Sequence, residues 1–221
     1  MSEFSIIGLT GPTGAGKSTV CRVLEAEGYG IVDTDVLARE AVLPGTECLG
    51  KLTKAFTTDI LNADGTLNRR ELARRAFASP EMQAQLNAIT HPAIMALSEK
   101  TIEQFRVAGK RGAVIDAPLL FESGMDAGCE KVIAVLAPRE MRLQRLLMRD
   151  NVTKEEIERR MAVQKSDDFY TQKADAVIHN TGEFGALEQQ VKAYLNRREA
   201  GGVLSVNANG GGVLPCCVLW Q

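Results

Sequence analysis

At 221 residues, 45% of them hydrophobic, the chain is long enough to bury a sizeable core as one domain with insertions. A formal charge of -2 and a pI of about 5.8 exclude a net electrostatic pull toward nucleic acid or anionic membranes. Met1-Ser2-Glu3-Phe4 lacks a basic region ahead of a long apolar run, and no stretch approaches the roughly 20 apolar residues of a membrane span, so a cytoplasmic location with neither nucleic acid nor membrane as partner is expected.

Ser5–Thr10 reads as a short apolar strand, and it runs straight into Gly11-Pro12-Thr13-Gly14-Ala15-Gly16-Lys17-Ser18. That string has the spacing G-x-x-x-x-G-K-S of a phosphate-binding loop, and an amphipathic helix, Lys17–Ala26, follows it as the motif requires. The glycines allow a tight turn in which successive amides face phosphate oxygens, and the helix adds the positive end of its dipole. Lys17 then reaches the terminal phosphates, and Ser18, followed by Thr19, meets the accompanying magnesium.

A second strand at 30–32 ends at Asp33-Thr34-Asp35. In an extended strand end, side chains two apart point the same way, so both carboxylates are expected at the phosphate crevice, one as a base toward a hydroxyl and one near a metal-bound water. The bland alternative is that one aspartate caps a helix starting near Val36. Between 37 and 111 no strand is apparent; 70–77, 81–89 and 93–107 read as helices, with Pro80 and Pro92 near the starts of the last two. This is a helical insertion between two strands.

The next strand, 113–116, ends at Asp116, a position suited to a magnesium-associated acid or simply to a turn former. Pro118-Leu119-Leu120-Phe121-Glu122 then turns the chain over the crevice. After a strand at Lys131–Leu136, residues 139–172 read as helical, broken at 150–153, with Thr153 ahead of Glu155 and Glu156 as a helix start. Arg139, Arg142, Arg145 and Arg149 recur at steps of three and four, which places them on one helical face; their forks suit phosphate oxygens, while nearby glutamates allow a solvated, ion-paired face instead. The last strand, 176–178, completes an alternation that predicts an α/β fold with a parallel sheet. The five cysteines form no C-x-x-C pair and read as reduced, structural thiols. The glycine-rich 201–221 reads as a tail; Val218 stands where a prenylation signal needs cysteine.

A nucleotide loop alone leaves kinases, switches and scaffolds open. Gln172-Lys173-Ala174-Asp175 resembles a guanine-reading N-K-x-D element, but it lacks the asparagine, precedes an apolar run and has no D-x-x-G partner, so a GTP-dependent switch is disfavoured. A non-catalytic scaffold is disfavoured by the set Lys17, Ser18 and Asp35, whereas another small-molecule kinase with a nucleoside, nucleotide or other alcohol acceptor stays open.

Taken together, these residues resemble dephospho-coenzyme A kinases, from about Ile6 to about Gly182. The likeness rests on the loop through Thr19; Val32-Asp33-Thr34-Asp35 with Ala38-Arg39-Glu40; Leu67-Asn68-Arg69 with Leu72 and Phe77; His91-Pro92; Asp116-Ala117-Pro118-Leu119-Leu120-Phe121-Glu122; Gln144-Arg145 to Arg149-Asp150; Arg160 with Gln164; and Asn180-Thr181-Gly182. The resemblance implies a P-loop kinase fold with a parallel five-stranded sheet flanked by helices. Residues 1–200 would form the kinase domain, with a helical acceptor-binding insertion at 37–111, a helical lid at 139–172 and the tail at 201–221.

It also implies transfer of the γ-phosphate of ATP, with Mg2+, to the ribose 3′-hydroxyl of dephospho-coenzyme A, by a monomer or small homo-oligomer. By position, Asp35 would be the base, Lys17 the phosphate clamp, and Arg142, Arg145 and Arg149 the catalytic arginines of the lid. Gly11, Gly14, Ala15, Gly16, Lys17, Ser18, Thr19 and Asn180 would bind the nucleotide, and Ser18, Asp33 and Asp116 the metal. Asp35, Arg69, His91, Pro118, Leu119 and Glu122 would contact the acceptor. Pro12-Thr13 stands where the family usually has Gly-Ile, at variable loop positions, and the tail has no counterpart in the family.

Overall fold

The computed structural model describes residues 4–150, 152–183 and 185–199, so the tail expected at 201–221 lies outside the described residues. In chain order they form β1 (Ser5–Thr10), α1 (Lys17–Ala26), β2 (Tyr29–Asp33), α2 (Thr34–Glu40), α3 (Glu47–Phe56), α4 (Arg69–Ala76), α5 (Pro80–Val107), β3 (Gly112–Asp116), β4 (Lys131–Leu136), α6 (Arg139–Arg149), α7 (Lys154–Ala162), α8 (Asp167–Lys173), β5 (Ala176–His179) and α9 (Ala186–Glu199). The five strands pair in parallel in the order β2-β3-β1-β4-β5. The chain leaves β1 for one side of the sheet and later returns to the other, which opens a crevice at the carboxyl ends of the central strands.

Alternation along the strands divides the core between two faces. Ala113 and Ile115 of β3 face α2, α3, α4 and α5 with Val32, Leu52, Leu72 and Leu86, while Val114 faces α1 and α9 with Val20, Leu24, Val191 and Leu195. Burial on both faces explains why these strands read as continuous apolar runs in the sequence.

The segment between β2 and β3 is helical as expected, apart from one antiparallel bridge, Leu61 to Leu67. Two helices expected at 81–89 and 93–107 are one: α5 runs through Pro92 without a break. Proline removes an amide donor and crowds the carbonyl four residues back, at a cost of about 3 kcal/mol in a helix interior. Here Gln83, Leu86, Thr90, Ile94, Ser98 and Ile102 form one buried stripe spanning both sides of the proline, while Pro92 itself faces solvent. Packing of that stripe outweighs the local break. Restoring the missing donor with Pro92→Ala is expected to raise stability by about 1 kcal/mol in urea unfolding; a loss of stability would show that α5 needs the proline to seat both halves of the stripe.

Candidate active site

The phosphate loop leaves β1 at Gly11 and closes with Ala15 N–H donating to Pro12 C=O at 3.2 Å. Gly16 caps α1 at φ 104°, and Gly14 at φ 76° lies against α6, where a Cβ would come within 3.0 Å of the Arg142 carbonyl oxygen. Both positions demand glycine for backbone angle and for space. Gly11 sits buried behind the loop, and its carbonyl accepts from Lys17 Nζ at 3.1 Å.

Strand register brings the acids to this loop. Asp33 of β2 is the lateral partner of Asp116 of β3, and Asp116 is in turn the partner of Leu9 at the end of β1. Ala117 N–H donates to Leu9 C=O at 3.1 Å, Thr34 Oγ1 to Asp116 C=O at 2.9 Å and Thr10 Oγ1 to Pro118 C=O at 3.2 Å, so the turn after β3 is held from three sides. The result is a cleft of about 800 Å³ lined by Gly14 through Thr19, Asp33, Asp35, Asp116, Pro118, Arg145, Arg149 and Asn180.

The expected extended geometry at Asp33-Thr34-Asp35 is not found. The helix begins at Thr34, and Asp33 Oδ1 is committed as its cap, accepting from the Asp35 and Val36 amides at 2.9 and 3.0 Å. Asp35 nonetheless reaches the cleft from the first turn of α2. Desolvation inside the cleft, followed by repulsion from Asp33, raises its pKa, with Lys17 and Arg39 opposing. The Asp116 pKa is raised chiefly by burial, Lys17 and the Cys21 thiol opposing and Asp33 and Asp35 adding to the shift.

Asp116 exposes a residue that the sequence reading missed. Cys21 Sγ donates to Asp116 Oδ2 at 3.4 Å, and burial, then the adjacent Asp116, push the thiol pKa far up, so it stays a protonated donor. The available signal was spacing: Cys21 follows Lys17 by four residues on α1 and so shares its face. The other oxygen of Asp116, Oδ1, is buried without a hydrogen-bond partner. Among the described residues no group of three or more His, Cys, Asp or Glu could hold a metal ion by itself. Ser18, Asp33 and Asp116 instead offer hard oxygen donors on one side, a set that fits Mg2+ completed by substrate phosphates and water.

The arginine series divides. Arg145 donates to the Gly14 and Ala15 carbonyls at 3.2 and 3.4 Å and to Asn180 Oδ1 at 3.0 Å, while Asn180 Nδ2 donates to Ala15 C=O at 2.8 Å. Both side chains therefore brace the loop. Arg149 lines the cleft, paired with Asp150 at 2.7 Å. Arg139 and Arg142 line a separate hollow with Gln164 and Lys165, and Arg142 Nε is buried there without a partner. Arg145→Ala removes the fork that spans loop and Asn180; the KM for ATP is expected to rise about tenfold in steady-state assays.

Of the residues expected at the acceptor, His91, Pro118 and Leu119 line a narrow apolar slot of about 20 Å³ with Thr34, Ile94 and Met95. This slot and the phosphate cleft share Pro118. Arg69 opens α4, where burial and then the charge of Arg39 lower its pKa, so two guanidiniums lie near one another outside both cavities. Glu122 lines neither cavity: its Oε2 is buried without a partner and its pKa is raised by burial. Asp175, of the discounted guanine-like element, is engaged by Lys131 Nζ and Val132 N, each at 2.8 Å.

The family model described as dephospho-CoA kinase matches residues 5–185. Similar curated proteins include the dephospho-CoA kinase of Corynebacterium glutamicum, 45% identical over 189 residues with 86% of this chain and 94% of that protein covered. The dephospho-CoA kinase of Geobacter metallireducens is 42% identical over 193 residues, with 87% and 96% covered. Among solved structures, one from Thermus thermophilus superposes with a TM-score of 0.75 at 33% identity, covering 88% of this chain and 98% of that one. The dephospho-CoA kinase from Campylobacter jejuni superposes at 0.65 with 25% identity, covering 90% and 98%. With this loop, these strand-end acids and matches over most of its length, the chain belongs to the dephospho-CoA kinase family.

Proposed function

We propose that the protein transfers the γ-phosphoryl group of ATP to the ribose 3′-hydroxyl of dephospho-coenzyme A, giving coenzyme A and ADP. The observation that carries this reading beyond family membership is the meeting of two cavities at Pro118. A cleft on one side holds the phosphate loop and Asp35, and an apolar slot that includes the neighbouring Thr34 lies on the other.

In this mechanism the loop amides and Lys17 hold the β and γ phosphates in line with the acceptor. Asp35 accepts and orients the proton of the attacking hydroxyl, which is lost late against a loose transition state. Ser18, Asp116 and the uncommitted side of Asp33 would hold Mg2+, whose contribution is to neutralise charge on the phosphate oxygens. Arg145 keeps the loop in register through Gly14 and Ala15, Arg149 faces the transferred group from α6, and Arg142 acts from the neighbouring hollow. The helical segment between β2 and β3 forms the acceptor side, where the like charges of Arg39 and Arg69 suit the acceptor's diphosphate.

A coupled ADP-release assay with Mg-ATP and dephospho-coenzyme A tests the reading. ADP should form well above the no-acceptor control. No release with dephospho-coenzyme A, and release with adenosine or another alcohol, would remove the acceptor assignment and leave the kinase class.

A further inference from the structure

Asp116 ends β3 at the wall of the phosphate cleft with its backbone fixed, since it pairs laterally with Asp33 and Leu9 and its carbonyl accepts from Thr34 Oγ1 at 2.9 Å. Its carboxylate is held from a different quarter. Cys21 Sγ on α1 donates to Oδ2 at 3.4 Å, while Oδ1 is buried without a hydrogen-bond partner. Lys17, one turn earlier on the same face of α1, is turned to the loop instead, its Nζ donating to Gly11 C=O at 3.1 Å. A buried carboxylate oxygen left open calls for a donor or a cation, and the cleft is where one would arrive.

We propose that Cys21 is a positioning residue: its thiol fixes the side chain of Asp116 through Oδ2 and so leaves Oδ1 as the oxygen offered to the metal. The inference rests on the assignment of Ser18, Asp33 and Asp116 to Mg2+ above, and adds a residue that itself touches neither metal nor substrate. The two oxygens of a carboxylate are alike until a partner distinguishes them, and the thiol is the partner that does so here. A thiol suits the task. It is a weak donor on a bulky atom, and it is too soft to compete for Mg2+, which takes hard oxygen ligands. The simpler role for Cys21 is that of a small apolar residue, because it is 9% exposed and belongs to the cluster of Val20, Leu24 and Val114. The two roles part at serine. A residue that only fills space is replaced better by alanine than by serine, whereas a donor is replaced better by serine.

Mn2+ serves as the probe, its binding to the full chain saturated with ADP followed by the electron paramagnetic resonance signal of the free ion, alongside the Mg2+ dependence of ADP release. Cys21→Ala should raise the Kd for Mn2+ and the half-saturating Mg2+ concentration about fivefold each, because Oδ2 loses its donor and the carboxylate its fixed orientation. The KM for dephospho-coenzyme A should not move. Cys21→Ser should keep both metal readouts within about twofold of wild type, even though a hydroxyl in an apolar cluster lowers its thermal melt. Cys21→Val, which fills the site without a donor, should behave as Cys21→Ala does and replaces it if the smaller side chain leaves too large a cavity to fold. Wild-type Mn2+ affinity in a folded Cys21→Ala or Cys21→Val protein, or a Cys21→Ser protein as weak for Mn2+ as these, would overturn the positioning role. A wild-type complex that binds no more Mn2+ than ADP alone does would overturn the metal assignment and this inference with it, while ADP release still upheld the acceptor.

Discussion

Lys17→Ala is expected to abolish phosphoryl transfer, by roughly a thousandfold or more, in a protein that still folds. Two effects act together. The ammonium is the cation at the base of the loop, where it hydrogen-bonds the Gly11 carbonyl at 3.1 Å and is placed to reach the terminal phosphates. It is also a positive neighbour of Asp35 and Asp116, lowering both pKa values against the upward push of desolvation. Without it, the nucleotide loses its clamp and the acids hold their protons to higher pH. The fold should survive because Lys17 opens α1 and its packing contribution is small: Val20, Cys21 and Leu24 are what α1 buries. Coupled ADP release and a thermal melt check the two halves. Transfer within tenfold of wild type would contradict the assignment of the loop.

How far this site could be read from the sequence depends on the kind of signal each part carried. The loop and its strand were legible because the motif is local: glycine angles, amide directions and the Lys17-Ser18 pair all lie within one turn of chain. All five strands were legible as short apolar runs; in the central β1, β3 and β4 this follows from burial on both faces. Propensity failed where packing decided. Pro92 reads as a helix start, yet the stripe from Gln83 to Ile102 carries α5 through it; α3, residues Glu47–Phe56, was not recognised although Thr46 caps it by accepting from Leu49 N at 3.2 Å.

The arginine series shows a different limit. Steps of three and four do put Arg139, Arg142, Arg145 and Arg149 on one face of α6, but which cavity each long side chain enters depends on α7, α8 and the loop beneath. Likewise the pairing of Asp33 with Asp116 is a register across strands 83 positions apart in sequence, which no local pattern encodes. The spacing of Cys21 from Lys17 marks its face of α1, but its partner Asp116 is set by how α1 packs on the sheet.

Asp35→Asn is expected to lower kcat by roughly a hundredfold or more while leaving the KM for ATP unchanged. The amide preserves size and polarity but cannot take a proton. Desolvation in the cleft, then Asp33, raise the Asp35 pKa above its usual value, so the ionised form needed for the base is lost at a higher pH than for an ordinary carboxylate. The wild-type kcat/KM for dephospho-coenzyme A should therefore fall on the acid side from a pH above about 4. Asp116 shares the upward shift, so this limb belongs to the two acids together. In the variant, Asp116 loses a negative neighbour that raises its pKa, and the remaining limb should move to lower pH. Stability should not suffer. A carboxyl whose pKa is higher folded than unfolded makes the fold less stable above the unfolded value, so its removal leaves neutral-pH stability equal or greater. Near wild-type turnover with an unmoved acid limb would take Asp35 out of the reaction and leave the acceptor hydroxyl to lose its proton to solvent.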